Sequence, residues 1–242
     1  SAVYRVEGSD KHRMLPKNSL SSHGALLPIY LSMSLMVIGM TSEVFVPYFL
    51  QVLHLQTPLV AGYIAALMAA GWTLGALYSS SLARESANRA TLYGPVFVVV
   101  GLALACVFVP QTTGSLLSLC GVSVGMVCVG TGIGLAWPHL LTRVLANVPD
   151  AEKNIAGASI TTVQLIATAI GAALAGMIAN LAGFTTPGGV EGASSAAAWL
   201  FGLYALLSGL LFITVRQVIR RDAVEGHVDR DVLLATEKPE LP

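Results

Sequence analysis

One acidic side chain, Glu43, has the type and the position needed to carry protons through an apolar environment. It lies well inside an apolar stretch that covers residues 25–53. Burial in hydrocarbon is costly for a carboxylate, because desolvation disfavours its charged form, and such a group usually serves an ion pathway, a proton relay or a buried partner. Glu43 is therefore a candidate proton carrier; the alternatives are that it only bonds a neighbouring helix or that it lies nearer the membrane interface.

Polar and small side chains accompany Glu43 on one predicted helix face. Helical steps place these residues along that face: Ser32, Met36, Gly39, Glu43, Pro47, Gln51 and His54. This polar face predicts that Glu43 faces a water-filled cavity, with Gln51 as a second cavity-lining candidate. Pro47 lacks a backbone N–H and is predicted to kink the helix, although plain tolerance of proline in membrane helices explains it equally well.

Two further apolar stretches contain cavity-lining candidates. Trp137 and His139 lie near the end of residues 116–141; this histidine is a candidate for titration, but an interfacial Trp and His beside the headgroups is the commoner explanation. Gln164 belongs to a polar, uncharged seam within residues 155–181, which it forms with Gly157, Thr161, Thr168 and Gly171. The seam either forms hydrogen bonds across helices or lines a substrate path.

Enzyme chemistry has no support in the sequence. The histidines are dispersed, and the chain has no paired-histidine metal motif, phosphate-binding loop, dinucleotide fingerprint or nucleophile elbow. The three cysteines lie in apolar stretches without metal-ligand spacing. We therefore predict no catalytic residue, no metal and no cofactor. A net charge of +0, without a basic run in the apolar part, argues against nucleic-acid binding.

The elements that position these residues are predicted to be six membrane-spanning helices. The chain is 55% hydrophobic and only 11% charged, whereas soluble domains are roughly a quarter charged. Six apolar stretches are long enough to cross about 30 Å of hydrocarbon. They cover residues 25–53, 59–82, 91–109, 116–141, 155–181 and 196–219. The predicted fold class is an all-α membrane protein, with a linker-like segment at 1–24 and a charged tail at 220–242.

The basic residues predict how these helices are oriented. All 13 Lys and Arg residues fall in the N-terminal segment, the second and fourth connections and the C-terminal end, with Arg84 and Arg89 in the second connection. The other three connections have none. Because short basic loops stay on the cytoplasmic side, both termini are predicted to be cytoplasmic, with the protein in the cell (inner) membrane.

Small residues spaced four apart are predicted to pack the helices together. Lipid offers no hydrophobic drive for helix association, so small side chains must let the backbones approach. The helix-packing candidates are Gly71, Gly75, Gly121, Gly125, Gly130, Gly134 and Gly171.

Several short motifs occur in a familiar order. PYFLQ at 47–51 and TPLVAGY at 57–63 are followed by GIGLAWPHL at 132–140 and by AGAS, TTVQ and GAALAG in the fifth stretch. In these motifs residues 15–221 resemble the C-terminal six-helix half of a major facilitator superfamily transporter, most similar to bacterial multidrug efflux members.

The resemblance implies two six-helix halves, a central site and alternating access. It also implies that the first and fourth helices line the cavity, which are the helices with Glu43 and with Trp137 and His139. Family members carry a gate-latch motif between the second and third helices. Here that segment, 80–89, reads SSLARESANR and lacks the motif's aspartate and glycine.

We therefore predict half of a secondary active transporter that exports small hydrophobic or amphipathic compounds against protons. Its predicted partners are the lipid bilayer, protons, the small hydrophobic substrate and an N-terminal six-helix half. Two alternatives stay open: a homodimer of two six-helix copies, and a non-transporting remnant or scaffold that lacks its N-terminal half.

Overall fold

The structure is a computed structural model that describes Pro16 and residues 24–221. Every regular element in these residues is helical. In chain order they are α1 Leu26–Thr41, a 3₁₀ turn Ser42–Phe45, α2 Val46–Leu53, α3 Pro58–Ser80, α4 Arg84–Phe108, α5 Leu116–Ala146, a 3₁₀ turn Asp150–Glu152, α6 Lys153–Leu181, α7 Gly189–Gly209 and a helix over 211–221. The predicted linker and tail lie almost wholly outside the described residues.

Six helical segments are long and apolar enough to cross a membrane. We name them spans 1 to 6: Leu26–Leu53, Pro58–Ser80, Glu85–Phe108, Leu116–Ala146, Asp150–Leu181 and Gly189–Arg221. The prediction of an all-α fold with six membrane-spanning helices is confirmed.

Several helix ends differ from the predicted bounds. The third helix begins at Arg84 and not near residue 91, the fourth continues to Ala146, and the sixth begins at Gly189. Arg84 and Arg89 therefore lie in the first turns of a helix and not in a loop. Hydropathy marks only the apolar part of a helix, whereas the helix itself can continue into polar residues. One interaction that supports the polar first turns here is the ion pair between Arg89 and Glu85, one helical turn apart, at 2.7 Å.

Span 4 is the packing centre of the bundle. It contacts span 2 and span 3 extensively, while span 3 also packs on span 6, and span 1 packs on span 5. Span 1 and span 5 run in the same direction, because Tyr30 meets Ser159 near their starts and Phe45 meets Phe184 just beyond the end of span 5.

Glycines bring span 2 and span 4 into backbone contact. The four involved are Gly71, Gly75, Gly130 and Gly134. A Cβ added at Gly130 would collide with the Met68 carbonyl oxygen, and one at Gly134 would collide with that of Trp72. These contacts leave no space for any side chain, so the two helices approach as closely as their backbones allow.

The remaining predicted packing glycines contact other spans. Gly121 lies against the ring of Phe108, and Gly125 lies beside the backbone of span 3 at Gly101. Gly171 in span 5 lies against the Thr41 side chain of span 1.

Polar contacts connect the spans at both ends of the bundle. We call the end at which spans 2, 4 and 6 finish the basic end, because every Lys and Arg of the described residues lies there. At this end the Arg143 guanidinium donates to Asn88 Oδ1 at 2.5 Å, and Arg221 donates to the Gly24 carbonyl. At the opposite end, the buried His54 bonds the Val109 carbonyl at 3.0 Å through Nε2.

We expect Gly130→Ala to lower the thermal stability of the purified protein, by an amount equivalent to about 1–3 kcal/mol, because its methyl group overpacks the contact with span 2. Gly176→Ala is the matched control, since no atom lies within 4 Å of a Cβ there. Thermal unfolding in detergent compares the two variants. Equal unfolding midpoints for both would show that the backbone contact between spans 2 and 4 is absent.

Candidate functional site

Glu43 lies at an interruption in the first span. α1 ends at Thr41, and the next four residues form the 3₁₀ turn before α2 begins at Val46. Within the turn the Val46 N–H donates to the Glu43 carbonyl. Pro47 is the next residue and has no N–H to give that carbonyl an α-helical bond. The α-helical ladder is therefore broken at the residue that carries the acid. A change of helix axis at Pro47 stays a prediction.

The interruption changes which residues share a face. A 3₁₀ turn advances about 120° per residue and an α-helix about 100°, so four residues rotate the following helix by roughly 80°. Ser32 and Gly39 are buried inside the bundle, where Ser32 Oγ donates to Thr214 Oγ1 at 2.9 Å. Glu43 and Gln51 are half-buried. The prediction of one continuous polar face is wrong, because it assumed an unbroken α-helix.

The Glu43 carboxylate is accessible at the bundle surface. In the part of the chain that the structure describes, it has neither a hydrogen-bond nor an ion-pair partner, and the Lys and Arg residues of that part all lie at the basic end. The alternative that it bonds a neighbouring helix of this chain therefore has no support. Gln51 lies two turns further along, where its Nε2 donates to the Pro47 carbonyl at 2.9 Å.

Contacts with spans 5 and 6 hold the residues that precede Glu43. Thr41 Oγ1 donates to the Ile38 carbonyl at 2.7 Å, and its side chain lies against Gly171. The Tyr204 hydroxyl of span 6 donates to the Gly171 carbonyl at 2.5 Å. Three spans thus meet directly beside the turn, so the position of Glu43 is fixed by packing on one side while its carboxylate stays unpaired.

Aromatic rings support the other end of the turn. Phe45, the last residue of the 3₁₀ turn, contacts Phe49 and Phe184 with ring centroids 6.0 and 5.8 Å apart. Tyr48 contacts Phe184 at 4.9 Å. The turn therefore has packed side chains both before and after Glu43.

The predicted polar seam of span 5 faces mostly outward. Thr161 and Thr168 are exposed and Gln164 is half-buried, whereas Gly171 is buried. Thr168 Oγ1 donates to the Gln164 carbonyl of its own helix at 2.8 Å. Among the described residues, the side chains of Thr161, Gln164 and Thr168 form no bond to another span. The seam is thus available to a surface or cavity outside this chain's own packing.

Trp137 and His139 belong to span 4 and contact span 2 toward the basic end. The Trp137 and Trp72 rings meet edge to face, with their centroids 6.1 Å apart. His139 Nε2 lies 2.7 Å from Ser79 Oγ, which itself donates to the Leu135 carbonyl at 2.6 Å. Because a carbonyl only accepts, the single serine hydrogen goes to Leu135, so His139 donates from Nε2 and keeps Nδ1 as its proton acceptor.

Sequence reasoning missed Trp72 and Ser79 as members of this cluster. Ser79 follows Gly71 and Gly75 at the same four-residue spacing, so it continues the face that packs on span 4. That spacing was a usable signal for Ser79. Trp72 is adjacent to Gly71, but its pairing with Trp137 depends on the register between two helices, which the sequence does not give.

Within residues 24–221, no group of three or more His, Cys, Asp or Glu side chains could hold a metal ion.

Comparison with known proteins identifies the family. The model of the Major Facilitator Superfamily matches residues 5–172. The chain belongs to the major facilitator superfamily. Two relatives in this superfamily, from Mycobacterium tuberculosis strains CDC 1551 / Oshkosh and ATCC 25618 / H37Rv, each bear the name probable multidrug-efflux transporter. Each is 35% identical to this chain over 229 residues.

The match covers most of this chain but only part of each relative. The aligned residues make up 91% of this chain and 46% of the relative. The chain therefore spans about half the length of the curated major facilitator superfamily relatives it matches. It is a multi-pass membrane protein of a transporter family.

We expect Ser79→Ala to lower stability by about 1 kcal/mol, because it leaves the Leu135 carbonyl and His139 Nε2 without their shared partner. Ser80→Ala is the matched control: its hydroxyl is exposed and bonds only the Leu77 carbonyl of its own helix. Thermal unfolding of the two variants measures the difference. A Ser79→Ala midpoint equal to that of Ser80→Ala would contradict the cross-helix bond.

Proposed function

We propose that this chain is one half of a secondary active transporter that exports small hydrophobic or amphipathic compounds in exchange for protons. The observation that carries the proposal is Glu43, a half-buried carboxylate without a partner in the described residues, at the helix interruption of an apolar span. The names of the relatives, probable multidrug-efflux transporter, support efflux as the direction.

Glu43 suits proton exchange because its neutral form and its charged form are favoured by different surroundings. In a state that excludes water, the neutral acid is the form that tolerates apolar surroundings. In a state that admits water, the carboxylate is hydrated and the proton leaves. Alternating access moves the site between these states, so one proton enters as the substrate is released, and it departs on the other side. The broken α-helical ladder at Ser42–Phe45 gives the span a place to adjust during this change.

Spans 5 and 2 are poorly buried within this chain, which supports a second half that packs on them. Only 22% of the apolar window of span 5 and 28% of that of span 2 are buried within this chain. Span 5 also presents its seam with Gln164 on this exposed side. We infer that a second six-helix half covers spans 2 and 5, which encloses a cavity between the halves and places Glu43, Gln164 and the seam on its wall.

The basic end supports one orientation of the protein in the membrane. Because Lys and Arg accumulate on the cytoplasmic side of short loops, we infer that both ends of the described chain face the cytoplasm across the cell membrane. Substrate then enters from the cytoplasm or the inner leaflet and leaves at the opposite end.

We expect Glu43→Gln to reduce proton-driven ethidium transport by at least roughly tenfold, because the amide of glutamine does not take up and release a proton as a carboxyl group does. The assay is ethidium accumulation in inverted membrane vesicles under an imposed pH gradient. Glu191→Gln, which changes an exposed acid in the first turn of α7, is the matched control and is expected to transport as the wild type does. Wild-type transport by Glu43→Gln would refute proton coupling through this residue.

We expect an antibody against residues 220–242 to detect, in native membranes, a polypeptide near twice the 25.2 kDa of this chain. That size corresponds to two six-helix halves in one chain. A band at 25.2 kDa would contradict it, and the oligomeric state of the purified protein would then separate a homodimer from a remnant that does not transport.

A further inference from the structure

An open groove of about 520 Å³ lies along span 2, beside Pro138 of span 4. Its lining includes Trp72, Thr73, Ala76, Ser80 and Pro138. Trp72 is the aromatic residue of this lining, is half-buried, and has small, aliphatic or hydroxyl-bearing neighbours. A flat aromatic ligand can stack on the accessible part of an indole ring.

The polar groups of the groove leave one donor unused. Thr73 and Ser80 donate their hydroxyl hydrogens to carbonyls of their own helix, Ala69 and Leu77. The indole N–H of Trp72 has no acceptor in the described part of the chain. An unpaired donor at membrane depth favours any acceptor that reaches it.

Trp72 is too far from the end of its helix for interfacial anchoring to explain it. It lies eight positions before Ser80, the last residue of α3, which corresponds to about 12 Å along the helix. Tryptophans that anchor a span lie at the headgroup level. The Trp137 ring, with its centroid 6.1 Å from that of Trp72, meets the indole edge to face and restrains its orientation.

We propose that this groove binds planar aromatic compounds that carry a hydrogen-bond acceptor, with Trp72 as the stacking surface and its N–H as the donor. Trp137 is a positioning residue that holds the Trp72 ring. The inference rests on the proposed transport function, since the second half that covers span 2 closes the open side of the groove. It names the class of substrate that this wall of the cavity recognises.

A second groove on the protein provides a matched control. It has a volume of about 430 Å³ on span 6 and is lined by Ala198, Trp199, Gly202, Leu203 and Leu206. Trp199 is 60% exposed, and the lining of this second groove has no hydroxyl-bearing side chain such as Thr73 or Ser80 of the first groove. Substitution of Trp199 therefore removes a tryptophan without altering the proposed site.

The test is binding of acridone, a planar fluorescent ring system with a carbonyl acceptor, to the purified native protein in detergent, followed by fluorescence anisotropy. We expect Trp72→Leu to raise the Kd about tenfold, because stacking and the N–H contact are both lost. Trp72→Phe, which restores a ring without the donor, is expected to recover part of the affinity. Trp137→Leu is expected to weaken binding less than Trp72→Leu, and Trp137→Phe to restore it.

The proposal would be overturned if the wild type did not bind acridone, or if Trp72→Leu and Trp199→Leu had an equal Kd. Competition by dicyclohexyl ketone, which has the acceptor without the planar ring, at the same concentrations as acridone would also overturn it. Size-exclusion elution confirms that each variant is folded. Acridone binding is measured without a pH gradient and with Glu43 in place, so wild-type transport by Glu43→Gln refutes only the proposed function, and acridone binding independent of Trp72 refutes only the groove.

Discussion

The backbone contact between span 2 and span 4 is the constraint on which the rest of the bundle depends. Lipid does not drive apolar helices together, so association relies on close packing and on a few polar bonds. Gly130 and Gly134 allow span 4 to reach the carbonyls of span 2. This approach fixes the register that brings Ser79 to His139 and Trp72 to Trp137. Span 3 then packs on span 4, and span 6 on span 3.

Span 1 combines a rigid support with an interrupted helix. Gly171 lets span 5 approach Thr41, and the hydroxyl of Tyr204 ties span 6 to the same point. The interruption follows immediately, and it carries Glu43. Packing therefore holds the backbone that precedes Glu43, while the missing α-helical hydrogen bond leaves the backbone at Glu43 itself less constrained. A group that must be protonated in one state and hydrated in another needs both properties.

The parts of the fold that depend on local composition could be predicted from the sequence. Six apolar stretches require six spans, and the single acid inside one of them is visible without a structure. Glycines such as Gly71 and Gly75, four residues apart, indicated close packing, and the structure places them against span 4. Helix ends were less predictable, because polar turns such as the one that begins at Arg84 continue a helix beyond its apolar part.

The parts that depend on geometry between residues could not be predicted. Helical counting along span 1 assumed a constant rotation per residue, and the 3₁₀ turn at Ser42–Phe45 invalidates it. The partner of Trp137 depends on the register of two helices, and the outward direction of the Gln164 seam depends on which face of span 5 meets span 1.

Proton release on substrate binding tests the central role of Glu43 most directly. The purified protein in weakly buffered detergent solution is mixed with ethidium, and a pH-sensitive dye reports the protons released. The account predicts about one proton per transporter from the wild type, because the substrate binds the deprotonated, water-accessible state, and none from Glu43→Gln. Equal release from both proteins would contradict it and assign the proton to another group.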